Sequence, residues 1–306
     1  MGDDPSPSGP PSPLPTRGLS RRRVLRLRDG AWREEEDFLV EEEPLEIRVD
    51  GDTLAVTMRT PGRDGDLALG FLLSEGLVAG AADVGSIAHC GRPGDEGYGN
   101  VVDVHSAGGH RIDPDRVLEG RRRVPTSSAC GVCGRQTVDD LLARCGPVAA
   151  ETRLGAERVS ELVARLGEVQ PVFARTGGLH AAAAFSADGA LLAAAEDVGR
   201  HNAVDKVVGV LARAGSVGRP APGAAAGPRP ALLAVSGRAG FEIVQKAAAA
   251  GIPFVASVSA PSSLAVELAE SCRIALLGFV RHGRLNVYSS AWRVERAPGA
   301  PVEARR

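Results

Sequence analysis

Two thiols stand two residues apart in the middle of this chain, Cys130 and Cys133 in the pentad C-G-V-C-G, introduced by Ser127-Ser128-Ala129. A thiolate is the working nucleophile, and its fraction rises beside cations or a helix N-terminus. Arg121 to Arg123 lie upstream and Arg135 downstream, and Gly131 and Gly134 keep the loop open to a bulky partner. Four readings compete. A structural zinc normally takes four ligands from two such pairs; there is no second C-x-x-C, and His89-Cys90 is too close-coupled to replace one. A thioredoxin-like redox centre should follow an early βαβ strand, whereas this pair sits mid-chain after a Ser-rich loop. An inert buried pair is the bland reading, since cysteine also serves as a small hydrophobe. The pattern leans toward a nucleophilic or sulfur-carrying loop, and spacing alone leaves the others open.

Several other loops carry polar chemistry. Glu196-Asp197-Val198-Gly199-Arg200-His201-Asn202-Ala203-Val204-Asp205-Lys206 opens a helix after a strand, where open α/β sheets bind ligands; His201 is its candidate ligand contact. The bland alternative is a solvated helix start capped by Asp197. Thr176-Gly177-Gly178-Leu179-His180 is a Gly-rich bend whose histidine reads more readily as structural. Ser236-Gly237-Arg238-Ala239-Gly240 joins a buried strand to a helix, and a helix N-terminus favours an anion. It matches neither a Walker A nor a G-x-G-x-x-G pattern, so an ordinary tight turn is the competing reading. Ser257 to Ser263 is a parallel case. Phe279-Val280-Arg281-His282-Gly283-Arg284 turns one strand into the next, and its two arginines and histidine suit a phosphorylated or pyrophosphate ligand.

The elements that must position these loops follow from periodicity. Leu45 to Val49 and Leu54 to Met58 alternate around Asp50-Gly51-Asp52, a hairpin. Asp66 to Leu77 reads as a helix capped by Asp64 or Asp66 and closed at Gly76, and strand-like pieces run from Ile87 to His105. A helix is expected over Thr137 to Gly146, just after the thiol loop. Val159, Leu162, Val163 and Leu166 mark an amphipathic helix. Ala181 to Phe185 and Leu191 to Ala195 form a second hairpin. Val204, Val207, Val208 and Leu211 line a helix face. Strands at Ala231–Val235, Ile252–Val258, Ile274–Val280 and Leu285–Ser289 then alternate with helices at Gly240–Ala249 and Ser262–Glu270, which argues for an α/β layered sheet.

With 306 residues, 43% hydrophobic and 24% charged, the chain is an ordinary globular protein with room for a real core. A net charge of -2 gives no reason to expect nucleic acid, and no apolar run is long enough to span a membrane. Five cysteines are too few for a disulfide scaffold and favour a reducing, cytoplasmic setting. Ser20 to Leu25 looks like the start of a twin-arginine export signal, but the charged run that follows is no apolar h-region. We expect a Pro/Ser/Gly-rich disordered segment over 1–20, an N-terminal mixed α/β part over 21–125, and an α/β domain over 126–296. A low-complexity insert at 214–230 reads as a surface loop or linker, and 297–306 as a loose tail.

Taken together, S-x-C-G-x-C-G, T-G-G-x-H, E-D-V-G-R-H-N-A-V-D-K, S-G-R-x-x-x-E-x-V-x-K and G-F-x-R-x-x-x-x-x-V-Y resemble the formate dehydrogenase accessory sulfurtransferases, the FdhD family. The early run Thr57 to Gly62, Leu67 to Leu72 and Ser74-Glu75-Gly76 is also similar, so the resemblance covers roughly Glu43 to Tyr288. The eleven-residue block is highly specific; the C-G-x-C-G loop alone is not. The resemblance implies a sulfur carrier, a sulfurtransferase that accepts sulfur from a cysteine desulfurase as a cysteine persulfide. It implies transfer to the molybdenum cofactor, bis-molybdopterin guanine dinucleotide, before insertion into formate dehydrogenase. It places the persulfide on Cys130, with Cys133 as helper or alternate, and the cofactor on Phe279 to Arg284. With the residue reading, Ser236, Gly237, Arg238 and His201 join that binding set. It implies a fold similar to cytidine deaminases, although H-x-E and P-C-x-x-C are missing and deaminase activity is not expected. A homodimer, no permanent cofactor and no metal are the remaining expectations. The rival class is a non-catalytic chaperone for the molybdenum cofactor, with structural cysteines.

Overall fold

The computed structural model describes residues 18–92, 94–95, 97–108, 111–113 and 146–296. Its first element is a hairpin that the sequence reading missed: β1 (Leu19–Arg28) and β2 (Ala31–Val40) pair antiparallel. Asp29 and Gly30 both adopt positive φ, as the tight turn between twisted strands requires. Arg22 faces Asp37, Arg23 faces Glu36, and Arg26 pairs with Glu35 at 3.3 Å. The run that looked like a twin-arginine start followed by a charged stretch is therefore two strands held in register by opposite charge. Strand structure begins at Leu19, inside the segment expected to be disordered; residues 1–17, like the tail at 297–306, lie outside the described residues.

The Asp50-Gly51 hairpin forms as expected, from β3 (Glu43–Val49) and β4 (Asp52–Arg59). With β5 (Val84–His89) and β6 (Val101–Ser106) it makes a sheet of order β4-β3-β6-β5, in which β3 and β6 run parallel. Leu45, Ile47 and Val49 point inward at alternate positions and are buried. Helix α1 (Asp64–Ser74) covers this sheet. Neither expected aspartate caps it: the N-cap is Arg63, and Asp64 instead binds the buried Arg59 at 3.0 Å. Its C-terminus closes at Gly76, whose N–H reaches the Leu73 carbonyl while that of Leu77 reaches Leu72.

From residue 146 the alternation holds. Strand β7 (Leu154–Gly155), α2 (Ala156–Ala164), the short α3 (Phe173–Thr176), β8 (His180–Phe185), β9 (Leu191–Asp197) and α4 (Arg200–Arg213) come first. Then follow β10 (Leu232–Val235), α5 (Phe241–Ala249), β11 (Phe254–Ser257), α6 (Ser263–Ser271), β12 (Ala275–Arg281), β13 (Arg284–Val287) and β14 (Val294–Glu295), which pairs with β7. The main sheet has the order β13-β12-β11-β10-β8-β9, with β10, β11 and β12 parallel. Alternate residues feed two cores. Ala182, Ala184, Leu233, Val235, Val255 and Leu276 pack with α4, α5 and α6, whereas Phe185, Leu232, Ala234, Phe254, Ala256 and Leu277 pack with α2. The protein is thus mixed α/β, its main sheet sandwiched between helices.

The 214–230 insert is less of a free linker than its composition suggests. Ser216 and Val217 are buried, the Arg219 N–H donates to the Ala79 carbonyl, and the Arg219 guanidinium pairs with buried Asp83. It therefore ties the segment after α4 to the N-terminal part, and only the stretch beyond Pro220 is largely exposed.

Helices α1 and α4 join the two parts at very close range. A Cβ on Gly70 would lie 1.9 Å from the Asp205 carbonyl oxygen, and one on Gly209 would lie 1.9 Å from that of Asp66. Only glycine lets the two backbones approach so closely. Backbone atoms cannot swing aside, so Gly70→Ala or Gly209→Ala should destabilise the protein by about 2 kcal/mol or more. Urea unfolding checks this; an unchanged midpoint for both variants would contradict the packing.

Candidate functional site

Where strand ends of the main sheet meet α2 and α3, a cleft of about 640 Å³ opens. Four residues of the candidate binding set line it: Ser236, Val280, Arg281 and His282. The strands explain why they converge. Ser236 follows β10, and its hydroxyl accepts the Ala181 N–H at 2.8 Å. A register shift in the β12–β13 pairing between Gly278 and Arg281 re-aims the turn. Phe279 and His282 there adopt positive φ, a conformation that costs a non-glycine residue energy and concentrates at functional sites. Phe279 is 48% exposed, while Val280 between it and Arg281 is buried. Arg281 Nε donates to the Val258 carbonyl at 2.9 Å, and the Gly283 N–H donates to the Ser160 hydroxyl at 3.2 Å. Arg284 pairs opposite Arg281, and both are exposed on the turn.

The remaining candidates scatter. Gly237 accepts a hydrogen bond from the Ser257 hydroxyl at 2.6 Å, and Arg238 is exposed on the turn behind it. His201 is not among the cleft's lining residues. Its Nε2 pairs with Glu242 at 2.6 Å, beside a separate small cavity that also contacts Asp205 and Lys246. Cys130 and Cys133, and the helix expected just after them, fall within 114–145, outside the described residues.

On the opposite wall of the cleft stands the Thr176 to His180 bend singled out from the sequence, through Gly177 and Gly178, together with Val163 of the expected amphipathic helix. Sequence reasoning missed their neighbours Ser160, Gln170 and Phe173, which belong to no motif; tertiary packing brings them to the loops. His180 also lines it. Burial, followed by the charges of Arg200 and His201, pushes its imidazole below the usual histidine range, so it is neutral at pH 7. Glu196 positions the wall from behind: its carboxylate accepts the N–H groups of Val172 at 3.0 Å and Phe173 at 2.7 Å.

The eleven-residue block is neither a solvated helix start nor mainly a ligand loop. Asp197 is fully buried and pairs with buried Lys206 at 2.6 Å. Its other oxygen accepts from the Gly199 N–H and the Asn202 amide, and the N-cap of α4 is Gly199. Asn202 also donates to the Met58 carbonyl at 2.7 Å, and Lys206 to the Thr60 carbonyl at 2.9 Å. Asp205 accepts two hydrogen bonds from Lys246 and one from Ser74. Burial pushes the Asp205 carboxyl upward, against the pull of the Lys246 ammonium. Most of the block therefore joins the N-terminal sheet to the main sheet.

The FdhD/NarQ family pattern matches residues 40–295. The chain belongs to the FdhD/NarQ family. Among its relatives, this FdhD/NarQ member is 62% identical over 280 residues to the sulfur carrier protein FdhD of Anaeromyxobacter dehalogenans (strain 2CP-1), covering 92% of this chain and 95% of the relative. It is 49% identical to the Streptomyces coelicolor protein of the same name, over 91% of this chain and 96% of the relative. Its fold matches a crystal structure of a Desulfotalea psychrophila protein assigned as a formate dehydrogenase accessory protein. That match has a TM-score of 0.67 at 23% identity, over 90% of this chain and 99% of the other. Among the described residues no helix is long and apolar enough to cross a membrane, and no group of three or more metal-ligating side chains occurs.

Two outcomes test this geometry. Lys206→Met strands a buried carboxylate and should cost about 3 to 5 kcal/mol in urea unfolding; a near-neutral variant would contradict the buried pair. His180 has a native pKa below its unfolded value of 6.5. The unfolded chain therefore binds more protons in that window, and the contribution to stability is full above the unfolded value and lost as pH falls toward the native one. NMR titration should place the His180 midpoint below 6.5; a midpoint at or above it would contradict the buried, cation-flanked setting.

Proposed function

We propose that this protein is a sulfur carrier required for formate dehydrogenase activity. Sulfur arrives from a cysteine desulfurase: the Cys130 thiolate attacks the outer sulfur of the donor's persulfide, a new S–S bond forms, and the donor's thiolate leaves. The recipient is the molybdenum cofactor, bis-molybdopterin guanine dinucleotide, bound as cargo with a guanine-nucleotide end in the cleft. Cys133 then releases the sulfur by attacking the inner sulfur of Cys130. The Cys130–Cys133 disulfide forms, hydrosulfide leaves toward the cofactor, and an external dithiol later reduces the disulfide. The loaded cofactor passes to formate dehydrogenase. We read the layered sheet as similar to cytidine deaminases, the protein as a cytoplasmic homodimer, and the reaction as that of a sulfurtransferase.

The observation that carries this reading is the convergence of Ser236, Val280, Arg281 and His282 on one large cleft, in a chain whose relatives are named sulfur carrier proteins. An apolar wall with a few convergent polar groups suits a planar base, and arginine suits phosphate oxygens. Replacing Arg281 and Arg284 together with glutamine should weaken GDP binding tenfold or more by calorimetry; unchanged affinity would remove the cleft assignment. Cys130→Ala should abolish activation of formate dehydrogenase in cells lacking the native protein, and full activation by that variant would remove the carrier assignment.

A further inference from the structure

The β1–β2 ribbon carries an uncovered apolar face. Side chains alternate along each strand, so residues paired across the ribbon share a face. One face holds Arg22 opposite Asp37, Val24 opposite Glu35 and Arg26 opposite Arg33, with Arg26 ion-paired to Glu35 and Asp37. It is a polar face, suited to water. The other runs from Val40 and Phe38 at the root, through Glu36 and Glu34, to Trp32, which stands opposite Leu27 with Leu25 one step in. Leu25, Leu27 and Trp32 are 67%, 53% and 66% exposed. A two-stranded ribbon is marginal on its own, and a cluster of large apolar side chains left open on one marks a partner site.

At its root the same face is covered. Helix α3 packs on β2. The guanidinium carbon of Arg175 lies 4.0 Å from the centre of the Phe38 ring, and that of Arg21, opposite Phe38, lies 5.2 Å from it. Val40 meets Gly178, where an added Cβ would lie 2.9 Å from Val40 Cγ2. Phe173 and Gly178 both line the cleft, and Phe173 is 41% exposed. One face therefore leads from the cleft wall to the ribbon tip, covered at one end and bare at the other. A body seated on the tip continues the cover that α3 begins, and it stands beside the cleft.

Charge and area choose the occupant. A second copy paired edge to edge about a twofold axis would set the five arginines of β1 against themselves, or the four acids of β2. Stacked tip on tip, three side chains from each copy fall short of the roughly 800 Å² that each partner gives to a specific interface. A different protein seated on the tip, α3 and the cleft mouth together adds the surface that the tip lacks, and it is placed to exchange with what the cleft holds.

We propose that the β1–β2 ribbon is the docking arm for the protein that takes the cargo from the cleft. Trp32 is the anchor in an apolar recess of that partner, with Leu25 and Leu27 against its walls. Arg23, Glu34 and Glu36 share this face, so the recess has a rim of both charges. The proposal rests on the reading of the protein as a sulfur carrier for formate dehydrogenase; the partner is then the dehydrogenase before it receives its cofactor.

Bio-layer interferometry with the full chain and cofactor-free formate dehydrogenase tests the arm. Leu27→Ser with Trp32→Ser should weaken the complex tenfold or more, and Trp32→Phe alone should weaken it less. Arg22→Ser with Arg33→Ser, on the polar face, should leave it unchanged. GDP affinity by calorimetry and sulfur loading by intact mass should match the parent in all three variants, because the arm serves neither step. Undiminished docking by the Leu27→Ser, Trp32→Ser variant would overturn the proposal, as would equal weakening by the polar-face variant or a parent that does not dock. Loss of sulfur loading in the apolar-face variant would assign the ribbon to the sulfur donor, loss of GDP binding would make it a prop for the cleft, and conversion of a parent dimer to monomer would assign it to a second copy; each overturns the proposal. A parent that docks the dehydrogenase through Trp32 yet takes up neither sulfur nor GDP would keep the arm and remove the carrier reading.

Discussion

The buried pair of Asp197 and Lys206 is the constraint on which the two parts of this protein depend. Neither charge reaches water, so each must be met by the other and by fixed dipoles. Lys206 uses the Thr60 carbonyl, and Asp197 uses the Thr60 N–H, the Gly199 N–H and Asn202. All of these meet only if the end of β4 and the start of α4 hold one relative position. Gly70 and Gly209 allow that position by letting two helix backbones touch. A second buried pair, Asp205 with Lys246, extends the same logic to α5 through Ser74 of α1. Such networks specify one arrangement more than they add net stability.

The cleft inherits its shape from that arrangement. Strand β9 enters the network through Asp197, so its neighbour Glu196 arrives beneath α3 and holds the backbone of Val172 and Phe173. The same strand end pairs with His180, which lines the cleft. The wall that carries Gln170, Phe173 and the Gly177-Gly178 bend is therefore fixed by residues of the eleven-residue block that never enter the cleft. A motif dense in charged residues here builds the interface with its buried acids and lysine.

Much of the fold was legible because it rests on local rules. The Asp50-Gly51 turn, the alternation in β3, and the helical faces of α2 and α4 all follow from periodicity and turn chemistry. The β1–β2 hairpin was missed because its strands alternate charge and apolar residues irregularly; the cue was a basic run and an acidic run on either side of Asp29-Gly30. The strand-end loops of the candidate site were legible as polar turns, and Ser236, Val280, Arg281 and His282 do converge. His201 stands in a polar helix opening after a strand, and its partner Glu242 lies 41 positions away, beyond any local pattern. Ser160, Gln170 and Phe173 carry no signal in isolation, since only packing of α2 and α3 on the sheet brings them to the cleft.

The central claim is that a thiol of this chain carries sulfur to a ligand held in that cleft. Intact-mass spectrometry after incubation with a cysteine desulfurase and cysteine, followed by peptide mapping, tests it most directly. The account predicts a gain of one sulfur atom on the peptide that contains Cys130, lost on reduction and absent from Cys130→Ala. A protein that gains no sulfur while the desulfurase turns over, or gains it equally in Cys130→Ala, would contradict it.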